Sequence, residues 1–234
     1  MDTFFCIAAL VAGESLFIVW LALKDPAGPV IAIKLNMIMI ALFAPALISI
    51  GGAVTNVGNI FYAAVVCCQC ILLETRGAGS ARLSIRWVNF ILIGVFALGT
   101  VLERLPVVIG NESFIFALKI IVHHSAGIVA ASFAAFFLSQ EVLIRAHARI
   151  AAYHGPVATA VLASFVCQAV DTPVFFAIAF WDQFAASQLV EMACVGFLFK
   201  CVLAVAFVPA LVAATSGLGF LASSREHLII AHRS

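Results

Sequence analysis

Ser164-Phe-Val-Cys-Gln168-Ala-Val-Asp171-Thr-Pro-Val-Phe-Phe-Ala-Ile-Ala-Phe-Trp181 is an apolar run with an amide and a carboxylate inside it. Lys200 lies inside the next apolar run. An ionisable residue at membrane depth costs on the order of 3 kcal/mol on insertion scales, so it persists where it faces a cavity, a partner or a substrate. Helical spacing places Ser164, Gln168, Asp171 and Phe175 on one face. That face joins hydrogen-bonding groups to an aromatic wall, which suits a small, flat, polar molecule crossing a membrane.

Composition supports the same class. Of 234 residues, 65% are hydrophobic and 10% charged, and the mean hydropathy is +1.21. Soluble domains are about half apolar and a quarter charged, so this chain needs lipid as its solvent. The spanning helices leave no room for a sizeable soluble domain. A net charge of +1, with the basic residues in loops, gives no reason to expect nucleic acid as a partner.

Apolar runs predict seven spans in one transmembrane domain over residues 1–234, at roughly 4–23, 29–50, 54–74, 86–104, 113–141, 156–181 and 187–215. The expected fold is all-α: a polytopic membrane helix bundle. Breaks rich in charge, Gly or Pro separate the spans, among them Gly51-Gly52, Arg76-Gly-Ala-Gly-Ser80 and Trp181-Asp-Gln183. Lys24, Lys34, Arg76, Arg82, Arg86, Arg145, Arg149, Arg225 and Arg233 fall on one side of such a bundle. The loops of the other side hold Arg104, while Lys119 and Lys200 lie within spans. The positive-inside rule then puts the N-terminus outside and the C-terminus in the cytoplasm. The first span lacks a basic n-region, carries Glu14 and shows no small-residue cleavage pattern, so it is read as a retained helix. Trp20, Trp87 and Trp181 sit near span ends, as interfacial aromatics do.

Other motifs carry less. Cys67 and Cys70 have C-x-x-C spacing, but they lie inside an apolar run with no second pair, so packing is the reading for all seven cysteines. Adjacent His123 and His124 point about a hundred degrees apart on a helix and cannot share an ion; one of them can face the cavity. His147, His154, His227 and His232 read as solvated loop residues. No metal site, cofactor or catalytic residue is expected. There is no P-loop, no H-E-x-x-H and no nucleophile elbow, so the chain does not read as an enzyme.

Three stretches carry a family resemblance. One is Gln168-Ala-Val-Asp171-Thr172 with Phe175-Phe176 and Ala179-Phe180-Trp181; the second is Lys200 followed by Pro209. The third is Asn56-Val-Gly-Asn59-Ile-Phe-Tyr62, then Glu74-Thr-Arg-Gly77 and Ala81-Arg82. Ser132 and Gln140 match a small-residue helix ending in Gln. In these the chain resembles the VUT family, also called the queuosine precursor transporter family, over roughly residues 35–212. That family includes bacterial inner-membrane carriers of 7-deazaguanine precursors. The resemblance implies a six-helix core with the first helix added, and uptake of a queuosine precursor. The chain departs from it at Cys70 and Leu143, where many members carry Asp, and at Gly127, where a basic residue is common.

The residues suit that chemistry. A 7-deazaguanine presents adjacent N–H donors that one carboxylate, Asp171, accepts together. Gln168 offers a donor and an acceptor to the other edge. Phe175 or Tyr62 stacks on the ring. Asn59, Tyr62 and Gln69 share a helix face as an opposite wall, Gln140 joins the substrate-binding set, and Lys200 balances the carboxylate. Pro173 frees backbone carbonyls beside the site.

Rival readings stay open. Asp171 and Lys200 can form a structural pair, and Gln168, Asn59 and Gln69 can be interhelical glue. The chain can be a vitamin-binding subunit that needs a partner ATPase module. It can also be a retinal protein with Lys200 as the Schiff-base lysine, although few tryptophans are present to hold a polyene. Monomer or homodimer is left open.

Overall fold

The structure, a computed structural model, describes residues 3–43, 47–50, 53–103 and 125–218. Expectations for Arg104, Lys119, His123, His124, Arg225, His227, His232 and Arg233 fall outside the described residues. Helices α1 (Thr3–Lys24) and α2 (Gly28–Phe43) lead into an antiparallel hairpin of β1 (Leu47–Ile50) and β2 (Ala53–Asn56). Then come α3 (Gly58–Glu103), α4 (Ser125–Ile150), α5 (Pro156–Phe180), α6 (Ala186–Ala206) and α7 (Val208–Leu218).

Helices dominate because lipid offers no hydrogen bonds to the backbone, so each segment must satisfy its own. The result is an all-α membrane helix bundle with one short hairpin. Among the described residues, Thr3–Lys24, Gly58–Phe90, Pro156–Phe180 and Ala186–Ala206 are long and apolar enough to cross a membrane. Helices α1 and α6 turn most of their apolar side chains outward, whereas the first half of α3 is buried among the others. Helix α6 exposes Val190, Leu198, Val202 and Val205 while burying Gly196, Lys200 and Leu203. That inversion is unfavourable in water and natural where the surroundings are hydrocarbon.

Helix α3 is two helices. Gln69 and Ser84 would stand about 22 Å apart on one straight helix at 1.5 Å per residue. Instead Gln69 Nε2 donates to Ser84 Oγ at 2.8 Å, so the chain doubles back between them. The reversal is at Gly77, with φ 75° and ψ 177°, a conformation that a Cβ makes costly. Residues 58–76 form a helix about 28 Å long, close to the roughly 30 Å of bilayer hydrocarbon. The return helix starts directly after Gly77, earlier than the expected 86.

Three further differences have local causes. The apolar run expected as helix to residue 50 leaves the helix at Phe43, and Leu47–Ile50 pairs with Ala53–Asn56 in the register Ile50↔Ala53. The expected span 187–215 breaks at Phe207, which caps α6 by donating its N–H to Leu203 O at 3.0 Å. Pro209 follows, with no N–H to give and a ring that crowds the carbonyl four residues back. His147 is not a solvated loop residue: α4 runs on to Ile150, and His147 is buried with its Nε2 2.9 Å from Glu74 Oε1. Glu141 and Arg145 take the solvent face of that extension, 3.1 Å apart, and Glu141 also meets Arg82 at 3.4 Å. His154 is exposed in the turn after α4, as expected.

Helix directions follow from the contacts. Tyr62 meets Lys200 and Cys67 Sγ meets Phe207 O, so residues 58–76 run parallel to α6–α7. His147 on Glu74 and Gly217 against Leu23 bring the ends of α1, α4, α7 and the first half of α3 together. Lys24, Arg76, Arg145 and Arg149 therefore gather at one end of the bundle.

Candidate functional site

The site lies where α3, α4, α5 and α6 meet. Pro156 opens α5 at a first-turn position, where its missing N–H has no partner to lose. The helix continues through Pro173 and turns Ser164, Cys167, Gln168, Asp171, Thr172, Phe175 and Phe176 inward. Gly196 lets α6 approach closely: a Cβ there would stand 3.1 Å from Phe176 Cε2 and 3.4 Å from Thr172 Cγ2. This contact lies one turn from Lys200.

Asp171 and Lys200 are both only 4% exposed, and Lys200 Nζ donates to Asp171 Oδ2 at 2.6 Å. Ser139 Oγ, from α4, donates to Asp171 Oδ1 at 3.2 Å. Tyr62 OH is 2.7 Å from Ser139 Oγ, and the Tyr62 ring lies under Lys200 Nζ at 4.6 Å from its centroid. Carboxylate, ammonium, hydroxyls and ring thus form one network, in which the cation is held by both an anion and a π face.

A small open cavity sits against this network. Asn59, Tyr62, Ser132, Asp171, Phe175 and Lys200 are among the residues that line it. The hairpin places Asn59: Asn56 Oδ1 accepts the Asn59 N–H at 3.0 Å, and Asn59 Nδ2 donates to Thr55 Oγ1 at 2.8 Å. Non-helical backbone is tolerated in such a protein where it lines a cavity or is covered by other elements. Asn56 itself borders the cavity. Phe175, edge-on to Phe176 at 5.4 Å between centroids, supplies an apolar wall.

Five of the eight residues proposed from sequence therefore come together: Asn59, Tyr62, Asp171, Phe175 and Lys200. Three do not line the cavity. Gln69 is seven residues from Tyr62 on the same face, but two turns further along, where it bonds Ser84 across the α3 hairpin. Gln140 Nε2 contacts Cys167 Sγ at 3.9 Å, one layer beneath the cavity. Gln168 is fully buried, and neither of its amide atoms has a hydrogen-bond partner among the described residues. Ser139 and Cys167 are the members that sequence reasoning missed. A lone serine after Phe136, Phe137 and Leu138 on an apolar helix carries no mark of what it touches.

Each Asp171 oxygen already has one partner, and a carboxylate oxygen has lone pairs for a second. The site can therefore accept N–H donors from a ligand while Lys200 neutralises the charge. The cysteines near the site behave as small core groups: Cys70 Sγ lies 3.8 Å from Ser164 Oγ and Cys67 Sγ 3.8 Å from Phe207 O.

A family model described as "Putative vitamin uptake transporter" matches residues 56–214. The chain belongs to this family. The match contains every residue of the network and the cavity except Ile40, and begins at Asn56, where the hairpin meets α3. Family and fold together make the chain a multi-pass membrane protein of a vitamin uptake transporter family, with no enzyme family indicated. No curated protein and no solved structure matches it.

Proposed function

We propose that this chain takes up a small flat heterocycle of the 7-deazaguanine type, a queuosine precursor, across a bacterial inner membrane. Its N-terminus is then outside, and the end that gathers Lys24, Arg76, Arg145 and Arg149 faces the cytoplasm. The observation that carries the reading is the Asp171 carboxylate, buried beside Lys200 in a cavity with the rings of Tyr62 and Phe175 on its walls. Donor N–H groups of the base edge meet Asp171, and the ring lies against Phe175 or Tyr62. Asn59 offers a further donor and acceptor. The bundle alternates its access around this fixed mid-membrane site.

The family description favours a second reading, a vitamin as the substrate. Uptake of radiolabelled 7-deazaguanines and vitamins into liposomes that hold this chain alone tests both. Saturable uptake of a 7-deazaguanine, competed by unlabelled base, is the expected result. Uptake of a vitamin instead would keep the site and change the substrate. Binding without uptake would point to a subunit that needs an ATPase partner.

A further inference from the structure

A second, smaller cavity, with room for about one water, lies between α3, α5, α6 and α7. Its lining includes Ala63, Cys67, Cys70, Val161, Ser164 and Ala204. Its position relative to the first is fixed by three shared helices. On α3 the first cavity takes Asn59 and Tyr62, and the second takes Ala63, Cys67 and Cys70. On α5 the first takes Phe175 and Asp171, and the second takes Ser164 and Val161. On α6 the first takes Lys200, and the second begins at Ala204. All three helices give the same order, so the cavities are stacked along the bundle axis. The second lies nearer Glu74 and the basic end.

One layer separates them. Tyr62 OH and Gln140 Nε2 both reach Cys167 Sγ at 3.9 Å, and Gln168 follows at the same height of α5, fully buried. Gln168 is the unusual member. A fully buried amide with no hydrogen-bond partner among the described residues is costly to keep, and an apolar side chain of similar size would pack there at less cost. A group that meets a polar solute only while the layer opens accounts for it.

The geometry points to the second cavity as the far half of the permeation path, a vestibule opening toward the basic end, with Tyr62, Cys167 and Gln168 as the barrier between the halves. This inference rests on the transport reading above. It assigns Gln168 a role in passing the polar edge of the solute through the barrier, distinct from the resting site at Asp171.

The test uses cysteine accessibility, which needs no substrate. Val161→Cys (second cavity) and Ala135→Cys (first cavity) are made in a chain that keeps the buried Cys167 and has its other six native cysteines replaced, with that background as the control. Each is exposed to a membrane-impermeant methanethiosulfonate from either face of oriented vesicles. Labelling of Val161→Cys from the basic face and of Ala135→Cys from the opposite face is expected. Labelling of both from the same face, or of Val161→Cys from neither, overturns the inference. Gln168→Leu in the otherwise native chain gives a second readout: a higher melting temperature with uptake at least tenfold slower is expected. A lower melting temperature, or uptake at the native rate, contradicts the barrier role. Failure of the substrate reading is separable, because it would appear as an absence of stabilisation by any deazaguanine while the accessibility pattern stands.

Discussion

Lys200 Nζ stands 2.6 Å from Asp171 Oδ2 with both side chains nearly sealed from solvent, and Asp171 Oδ1 accepts from Ser139 across the helix interface. The pair joins α5 to α6, and Ser139 ties α4 to the same carboxylate. Desolvation makes such a pair a weak net source of stability, whereas one charge left without the other is strongly unfavourable. A ligand that replaces some of these contacts can therefore loosen three helices at once.

Asp171→Ala alone is expected to destabilise the protein by about 3–5 kcal/mol, because Lys200 stays buried without its counter-charge. Asp171→Leu combined with Lys200→Met should recover most of that loss in denaturation measured in detergent. The double variant should nevertheless lose all stabilisation by ligand. Retained ligand stabilisation in it would make the pair purely structural.

Gly77→Ala should lower stability by about 1–3 kcal/mol, since φ 75° with ψ 177° is a backbone state that a Cβ disfavours. No atom lies within 4 Å of a Cβ built there, so the cost is conformational and not a clash. Thermal unfolding of the purified variant measures it, and an unchanged melting temperature would argue against this turn.

Gln69→Leu should remove the bond across the α3 hairpin at a cost of about 1 kcal/mol, with Ser84 keeping its 2.8 Å bond to Ala81 O, and Ser84→Ala should cost about as much by leaving the Gln69 amide N–H without its acceptor. Neither variant should alter ligand affinity, because Gln69 does not border the cavity. Isothermal titration of both variants checks this. A several-fold loss of affinity would return Gln69 to the site.

Phe175→Ala should weaken binding of a flat heterocycle by about 1–3 kcal/mol, the range found for aromatic stacking on bases. That corresponds to a roughly 5- to 150-fold rise in Kd. Phe175→Tyr should bind nearly as well as the native chain. Equal affinity for all three would move the stacking wall to Tyr62.

Much of the site was legible because charge is rare in this chain. Two ionisable residues in adjacent apolar runs had few ways to exist except by meeting, and Asp171 and Lys200 do meet. The α3 reversal was legible as a break at Arg76-Gly-Ala-Gly-Ser80, although only the Gln69–Ser84 bond shows how abrupt it is. The hairpin was missed because apolarity alone does not separate strand from helix. Its signal was Gly51-Gly52 between β-branched residues, Ile48 and Ile50 on one side and Val54 and Thr55 on the other. His147 was missed because the charges at Glu141, Arg145 and Arg149 look like a loop, while on a helix they share the outer face and leave His147 turned inward. Gln140 was chosen through the family resemblance and Gln168 for its polarity on the Asp171 face. Polarity does not say which layer of the bundle a side chain occupies.

Melting temperature of the purified protein in detergent against 7-deazaguanines, purines and vitamins, with Asp171→Asn beside the native chain, is the most direct measurement. A ligand bound to the folded state alone at a hundred times its Kd adds about 2.7 kcal/mol of stability. A 7-deazaguanine is expected to raise the melting temperature of the native protein and to leave that of Asp171→Asn unmoved. An equal rise in both proteins, or a rise with none of the deazaguanines, would contradict recognition of that base by Asp171.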